Sequence, residues 1–299
     1  MRYDIAQRWT GGKGKLQITE AEFQSIREAK KGAVSAMLIE EKLDLLLDNF
    51  IEYEGDFLQL ALRSAVFEEH DWSDFRAAVQ RVNRRLANLL TTCRLYLDQT
   101  PHELGALSDP ALAAAFNSQR SVEYDNRLGY RSMEALRNYL QHRDFPVRGL
   151  SYKGGWVPQQ PREWRKHIVE ATIAVDMLKG DSKFKQDVYE ELEAEGEELN
   201  FKELVRDYIS GIGAVHGHLR QLLAPRVKVW DECLLETLRK YQAATKADLA
   251  IGVEVIATND QSEVVEEIEV FTGQMDRRKA LERKNRNVGH WTKMLITSE

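Results

Sequence analysis

The sequence predicts a mainly α-helical protein that ends in a smaller region containing a helix and a β-hairpin. Three observations support this fold class. Apolar residues recur three or four positions apart over most of the chain, which is the spacing of one helix face. Serine, threonine, aspartate or asparagine stands where several of these patterns begin and can cap a helix there. Runs of valine and isoleucine with the period of strands occur only after residue 249.

The first half of the chain carries the longest helical patterns. Thr19 and Glu22 have the spacing of a capping box, so a helix is expected to begin there. After Gly32 a long pattern resumes and continues to Leu62. Another helix is expected over residues 73–97. These helices are predicted to form the main part of a bundle.

The next helix is predicted to begin at Ser121 and to end before Pro146, because the residue preceding a proline is disfavoured in a helix. Residues 147–161 are rich in glycine and proline and predict a loop or a short hairpin. A further helix is expected over residues 161–178, since proline is favoured in the first turn of a helix.

The sequence suggests two domains, a helical bundle over residues 1–180 and an accessory helical region over residues 181–299. The accessory region is predicted to end in a hairpin. Its strands would be Leu249–Ala257 and Val264–Phe271, joined by the turn residues Asn259, Asp260 and Gln261.

Composition limits the class of protein. Hydrophobic residues make up 43% and charged residues 30% of 299, which is typical of a soluble globular chain. No apolar run approaches the roughly 18 residues that a membrane helix needs, and the start of the chain does not resemble a signal peptide. We therefore expect a cytoplasmic protein without a membrane partner. Cys93 and Cys233 have no neighbouring thiol, so neither a disulfide framework nor a cysteine zinc site is expected.

Charge is distributed unevenly along the chain. The net charge of -6 argues against a protein that coats nucleic acid through bulk electrostatics. Residues 137–167 nevertheless contain seven basic and two acidic side chains. Tyr152 and Trp156 lie within this basic stretch, where they either stack on a nucleic-acid base or cover the bundle.

The basic stretch begins with the motif Arg137, Asn138, Tyr139, Leu140, Gln141, His142 near the end of its predicted helix. On a helical projection Asn138 lies about 100° and His142 about 140° from Arg137. Arg131, Glu134 and Gln141 fall on the same polar face. The opposite face is apolar and carries Met133, Leu136, Tyr139 and Leu140. The alternative interpretation is an ordinary amphipathic helix with a solvated polar face, since the spacing of arginine and histidine alone is weak evidence.

These residue types suit chemistry at a phosphodiester. A histidine can exchange protons near neutral pH, and an arginine can hold phosphate oxygens and stabilise charge that develops on them. We therefore assign His142 as general acid/base, Arg137 as phosphate clamp and Asn138 as a residue that orients either of them. Arg131, Gln141 and Arg143 are expected to contact the substrate. This chemistry requires neither a metal nor a cofactor.

The motif resembles the signature of the HEPN (higher eukaryotes and prokaryotes nucleotide-binding) superfamily, in which an arginine, usually followed by a polar residue, precedes a histidine. The resemblance extends to about residue 178 and implies a HEPN-like helical bundle. Many members are metal-independent endoribonucleases whose active site is shared between two protomers. A subfamily of toxins has a tyrosine two positions after the histidine, where this chain has Asp144. The modification chemistry of that tyrosine is therefore not expected.

The resemblance implies a metal-independent endoribonuclease of toxin or antiphage-defence type that cleaves RNA. It also implies a homodimer with a composite active site, and a setting in which an antitoxin or another defence-system protein is a partner. The alternative is a non-catalytic HEPN-like helical protein that binds RNA, a nucleotide or another protein through the same polar face.

Overall fold

The fold is mainly α-helical, as predicted. The computed structural model describes residues 1–7, 14–67, 71–107, 109–159, 162–179, 184–196, 198–246, 252–286 and 289–294. Its helices, numbered in chain order, are α1 (Glu20–Val66), α2 (Trp72–Gly105), α3 (Pro110–Asn126), α4 (Leu128–His142), α5 (Gln186–Glu195), α6 (Phe201–Thr245) and α7 (Gly273–Lys284). Its strands are β1 (Arg2–Gln7), β2 (Lys15–Ile18), β3 (Gly149–Gln159), β4 (Arg162–Ala174), β5 (Glu198–Asn200), β6 (Val253–Thr258) and β7 (Val264–Val270). Among the described helices, none has an apolar stretch long enough to cross a membrane.

The chain divides into two compact units, each built from three segments. Unit 1 contains Met1–Lys42, Gln99–Ala115 and His218–Arg286, and unit 2 contains Leu43–Asp98, Phe116–Gly217 and Asn287–Glu299. This division differs from the sequential one predicted, with a bundle over residues 1–180 and an accessory region over 181–299. The reason is that α1, α2, α3 and α6 each contribute residues to both units. Residues 180–183, where the predicted boundary falls, lie outside the described residues.

Unit 1 contains a four-stranded antiparallel sheet in the order β2-β1-β6-β7. The pairing of β6 with β7 confirms the predicted hairpin. The additional strands come from the N-terminus, since β1 pairs with β6 from Arg2↔Thr258 to Gln7↔Val253. One face of this sheet packs on helices α1 and α6 through Phe23, Ile26, Leu234, Leu238 and Tyr241, all nearly fully buried.

The capping box at the start of α1 is confirmed. The backbone N–H of Thr19 donates to Glu22 Oε2 at 2.8 Å, and the N–H of Glu22 donates to Thr19 Oγ1 at 3.2 Å. Each side chain thus satisfies a backbone donor that the first helical turn leaves unpaired. A local sequence signal determines the beginning of this helix.

Unit 2 contains the candidate site and a three-stranded antiparallel sheet in the order β3-β4-β5. The predicted helix over residues 161–178 is wrong. Residues 162–174 form strand β4, and a 3-10 turn follows at Val175–Leu178. Val169, Ala171 and Ile173 are buried at every second position, which is the period of a strand. The pairing with β3 supplies the hydrogen bonds that a helix would otherwise have made within itself.

The helix predicted to begin at Ser121 is divided in two. Ser121 lies inside α3, where its hydroxyl donates to the carbonyl of Asn117 at 3.2 Å. Arg127 has extended backbone angles (φ -128°, ψ 117°) and separates α3 from α4. The motif therefore lies on a shorter helix whose first residue is Leu128.

Candidate active site

Helix α4 carries the motif, and contacts with helix α6 fix its first turn. Asp207 of α6 accepts the backbone N–H of Gly129 at 3.0 Å through one carboxylate oxygen. Its other oxygen accepts a guanidinium N–H of Arg127 at 2.8 Å. A β-carbon at Gly129 would lie 2.4 Å from the carbonyl oxygen of Leu204, so only glycine allows this approach. Asp207 acts as a helix cap that is supplied from a distant part of the chain.

The apolar face of α4 packs inward as predicted. Met133 and Leu136 are fully buried, Tyr139 is 8% exposed and Leu140 is half-buried. Tyr130 continues this face and makes an edge contact with Tyr208, with ring centroids 4.9 Å apart. The burial of these side chains determines which side of the helix remains available to a ligand.

Glu134, placed on the polar face by the helical projection, belongs to a buried network instead. It accepts a hydrogen bond of 2.6 Å from the hydroxyl of Tyr208, and Arg94 approaches its other oxygen at 3.4 Å. Burial, followed by the charge of Glu134, raises the pKa of Tyr208 well above its usual value. Burial likewise raises the pKa of the nearby Cys93 thiol, which disfavours a nucleophilic role for that cysteine.

Arg137 lies at the border of the polar and apolar faces and is half-buried. Its guanidinium donates to Asn138 Oδ1 at 3.0 Å, so the structure brings these two predicted residues together. Its Nε is buried and has no hydrogen-bond acceptor. Within the described part of the chain Arg137 pairs with no carboxylate. Its guanidinium therefore keeps donors that an anion can satisfy.

Arg131 has partners of its own. Its guanidinium donates to the carbonyl oxygens of Tyr124 at 2.9 Å and Asp125 at 2.6 Å, and it forms an ion pair with Glu191 of α5. These contacts hold the end of α3 and helix α5 against the start of α4. Because its charge is already neutralised, we leave Arg131 out of the proposed site, and its predicted substrate contact remains a prediction.

His142 is the last residue of α4 and is exposed, as are Gln141 and Arg143 beside it. The helix stops because Arg143 has backbone angles of φ -131° and ψ -79°, while its N–H still donates to the carbonyl of Tyr139 at 2.8 Å. Among the described residues, His142 makes no hydrogen bond or ion pair. Both imidazole nitrogens are thus accessible to a substrate.

The segment after His142 is held in place by Asn83 of helix α2, a residue that the sequence analysis missed. Its amide donates to the carbonyl of Val147 at 2.8 Å and accepts the N–H of Val147 at 3.1 Å. Asn83 and Val147 are both buried. An asparagine within an amphipathic helix gives no sequence signal for such a contact. The two bonds fix the chain five residues beyond the histidine.

Asp144 lies two positions after His142, where a subfamily of HEPN toxins has a tyrosine. It accepts the backbone N–H of Phe145 at 2.7 Å and forms an ion pair with Arg148. The Phe145 N–H, followed by Arg148, lowers the pKa of Asp144 below its usual value. The carboxylate therefore shapes the turn that leads away from His142 and stays negatively charged.

Comparison of the chain with protein-family models, with curated proteins and with solved structures finds no match in any of the three. The likeness to the HEPN superfamily therefore rests on the residues of α4, and membership of that superfamily remains a prediction.

Proposed function

We propose that this protein is a metal-independent endoribonuclease in which His142 transfers protons and Arg137 binds the reacting phosphate. One observation carries the proposal. A half-buried arginine that pairs with no described carboxylate lies on the same short helix as an exposed histidine, and Asn83 holds the segment that follows this histidine at Val147. The toxin or antiphage setting, with its antitoxin or defence-system partner, rests on the family resemblance alone.

The environment of Arg137 favours a phosphate ligand. Burying a guanidinium is costly unless an opposite charge and hydrogen-bond acceptors compensate. Arg127 and Arg131 obtain this compensation from Glu123, Asp207 and Glu191. Arg137 receives only the neutral amide oxygen of Asn138 from the described residues. A phosphate bound at the terminal N–H groups of the guanidinium would supply the missing charge and charged acceptors.

The chemistry follows from these two side chains. His142 would take the proton of an RNA 2′-hydroxyl, whose oxygen then attacks the adjacent phosphorus. The bond from phosphorus to the 5′-oxygen breaks, and the protonated imidazole gives its proton to that oxygen, which leaves as a hydroxyl. The upstream fragment then ends in a 2′,3′-cyclic phosphate. Arg137 would stabilise the negative charge on the phosphoryl oxygens during this step.

A homodimer is part of the proposal. Arg137 and His142 lie about 140° apart around one helix, so a second copy of α4 facing the first would bring an arginine and a histidine together. An apolar face on α1 supports association between copies. Ile51, Leu62 and Val66 are 60%, 65% and 63% exposed, and Leu58 on the same face is 49% exposed. Exposed apolar faces of this kind commonly mark contacts with another chain.

The test is an incubation of the purified protein with single-stranded RNA in excess chelator, followed by analysis of the fragment ends. We expect RNA fragments with 2′,3′-cyclic phosphate ends, and no cleavage of DNA of the same sequence because DNA lacks the attacking hydroxyl. Cleavage that stops completely in chelator would contradict the metal-independent mechanism. RNA that binds but stays intact under all conditions would favour the non-catalytic alternative.

A further inference from the structure

The hairpin formed by β3 and β4 presents an exposed surface beyond the site described above. The strands pair antiparallel from Gly149↔Thr172 to Gln159↔Arg162. Near its base the hairpin is buried through Leu150, Val169, Ala171 and Ile173, and β5 pairs with β4 only over Thr172–Ala174. We call residues 152–156 and 164–168 the distal ribbon. No third described strand pairs with this part.

Three large aromatic side chains of the distal ribbon are exposed to solvent. Trp156 is 68% exposed, Trp164 is 54% exposed and Tyr152 is 49% exposed. Tyr152 and Trp156 were expected either to cover the bundle or to stack on a base. The exposure of Trp156 argues against covering. Tyr152 lines a pocket with Leu60 and Phe75 of helices α1 and α2. Exposed tryptophans on both faces of one hairpin indicate a binding surface, because an exposed aromatic ring contributes little to the stability of the isolated chain.

The register of the strands places cations beside these rings. Trp156 pairs with Arg165, and Gly154 pairs with His167, so these side chains share a face with Tyr152. Lys166 and Trp164 lie on the other face by the same alternation. A β-carbon at Gly154 would lie 2.5 Å from the carbonyl oxygen of Lys166, so this position between two aromatic rings carries no side chain.

The charge of the distal ribbon is opposite to that of the chain as a whole. Its residues include Lys153, Arg165 and Lys166 and no aspartate or glutamate, whereas the chain has a net charge of -6. Lys153 is paired with Glu170 at 2.5 Å, and Arg165 and Lys166 are exposed. A positive, aromatic surface on an acidic protein is complementary to a ligand that combines negative charge with flat rings.

We propose that the distal ribbon binds single-stranded RNA on both of its faces. Trp156 stacks on a base and Arg165 contacts a phosphate on one face, and Trp164 and Lys166 make the same two kinds of contact on the other. Unpaired bases expose their faces to aromatic side chains, whereas bases in a duplex stack on each other. The distal ribbon begins ten residues after His142, a chain length of roughly 36 Å at most, so a single RNA strand bound there can also reach the motif. This inference deepens the proposed function and rests on it for the choice of RNA as ligand.

The test measures binding of a fluorescently labelled 20-nucleotide single-stranded RNA to full-length protein that carries His142→Ala, so that the RNA stays intact. Trp156→Ala should weaken binding about tenfold, and Trp156→Phe should recover most of the affinity because a ring is retained. Trp72→Ala is the matched control, because Trp72 is 76% exposed and lies outside the ribbon. The RNA affinity of the Trp72→Ala control should equal that of the His142→Ala protein in which it is made. Circular dichroism verifies that each variant is folded.

Salt dependence tests the cations separately. Replacing both Arg165 and Lys166 by glutamine should reduce the slope of log affinity against log salt by about 1.4, the value for two phosphate contacts on a single strand. An RNA affinity that is the same in Trp156→Ala as in the parent protein would overturn the inference.

The two proposals fail in different ways. If the wild type does not cleave RNA but the ribbon variants lose RNA affinity, the proposed nuclease function fails and the ribbon inference stands. If the wild type cleaves RNA and Trp156→Ala leaves both KM and affinity unchanged, the ribbon inference fails and the nuclease function stands.

Discussion

Asn83 allows a sharp test of what holds the segment after His142. Among the described residues, its side chain bonds both the N–H and the carbonyl of Val147. Asn83→Ala removes two hydrogen bonds, of 2.8 and 3.1 Å, and leaves a buried N–H and a buried carbonyl without partners. Each orphaned group costs about 1–3 kcal/mol, so we expect a loss of about 2–6 kcal/mol in the free energy of opening this segment. Hydrogen exchange at the Val147 amide measures that free energy directly.

Asn88→Ala is the matched control for Asn83→Ala, because Asn88 is an exposed asparagine on the same helix. It should change stability by less than about 0.5 kcal/mol. RNA cleavage should fall in Asn83→Ala, since the chain beyond His142 becomes mobile, and should be unchanged in Asn88→Ala. Equal exchange rates at Val147 in the wild type and in Asn83→Ala would refute the claim that Asn83 holds the segment after His142.

Four further predictions concern the dimer, the arginine, the helix cap of α1 and the pH dependence of stability. Mixing Arg137→Ala chains with His142→Ala chains should restore up to about half of the wild-type RNA cleavage per dimer, if each site takes residues from two protomers. If heterodimers form and cleavage is not recovered, both residues come from one chain. Arg137→Lys should lower kcat/KM about 10²-fold, because an ammonium lacks the guanidinium fork; an unchanged value would contradict the clamp. Thr19→Ala should destabilise unit 1 by about 1 kcal/mol in urea unfolding. The hydrogen bond from Lys240, followed by the backbone N–H of Thr19, lowers the pKa of Glu22 from 4.5 to about 2. The stabilising effect of the Glu22 carboxylate is thus complete above pH 4.5 and lost as the pH falls to about 2. In Glu22→Gln the free energy of unfolding should therefore depend less on pH over that range.

The parts of the fold that were predictable depend on local signals. The capping box of Thr19 and Glu22, the apolar face of α4 and the C-terminal hairpin each follow from residues within one element or its immediate neighbour. The position of β1 beside β6 did not follow, because the two strands are separated by about 250 residues. Nor did β4, whose apolar residues fit both a helix and a strand until β3 provides a partner.

The same distinction applies to the site. The helical projection placed Arg137, Asn138 and His142 on the polar side of α4, and the structure leaves Arg137 and Asn138 half-buried and His142 exposed. It also placed Arg131 and Glu134 there, but both are occupied by partners from α5, α6 and α2. A projection describes directions around one helix and contains no information about which neighbouring helix supplies a partner. The break at Arg127 was missed for the same reason, since its cap comes from Asp207.

The central claim is that His142 performs the proton transfer in RNA cleavage, and the most direct test is the single-turnover cleavage rate of purified His142→Ala. We expect the rate to fall about 10²- to 10⁴-fold. The helical circular dichroism and melting temperature should be nearly unchanged, because the imidazole is exposed and makes no hydrogen bond or ion pair with the described residues. His102→Ala, which removes another exposed histidine, should cleave at the wild-type rate. A His142→Ala protein that cleaves RNA as fast as the wild type would contradict the assignment of this residue.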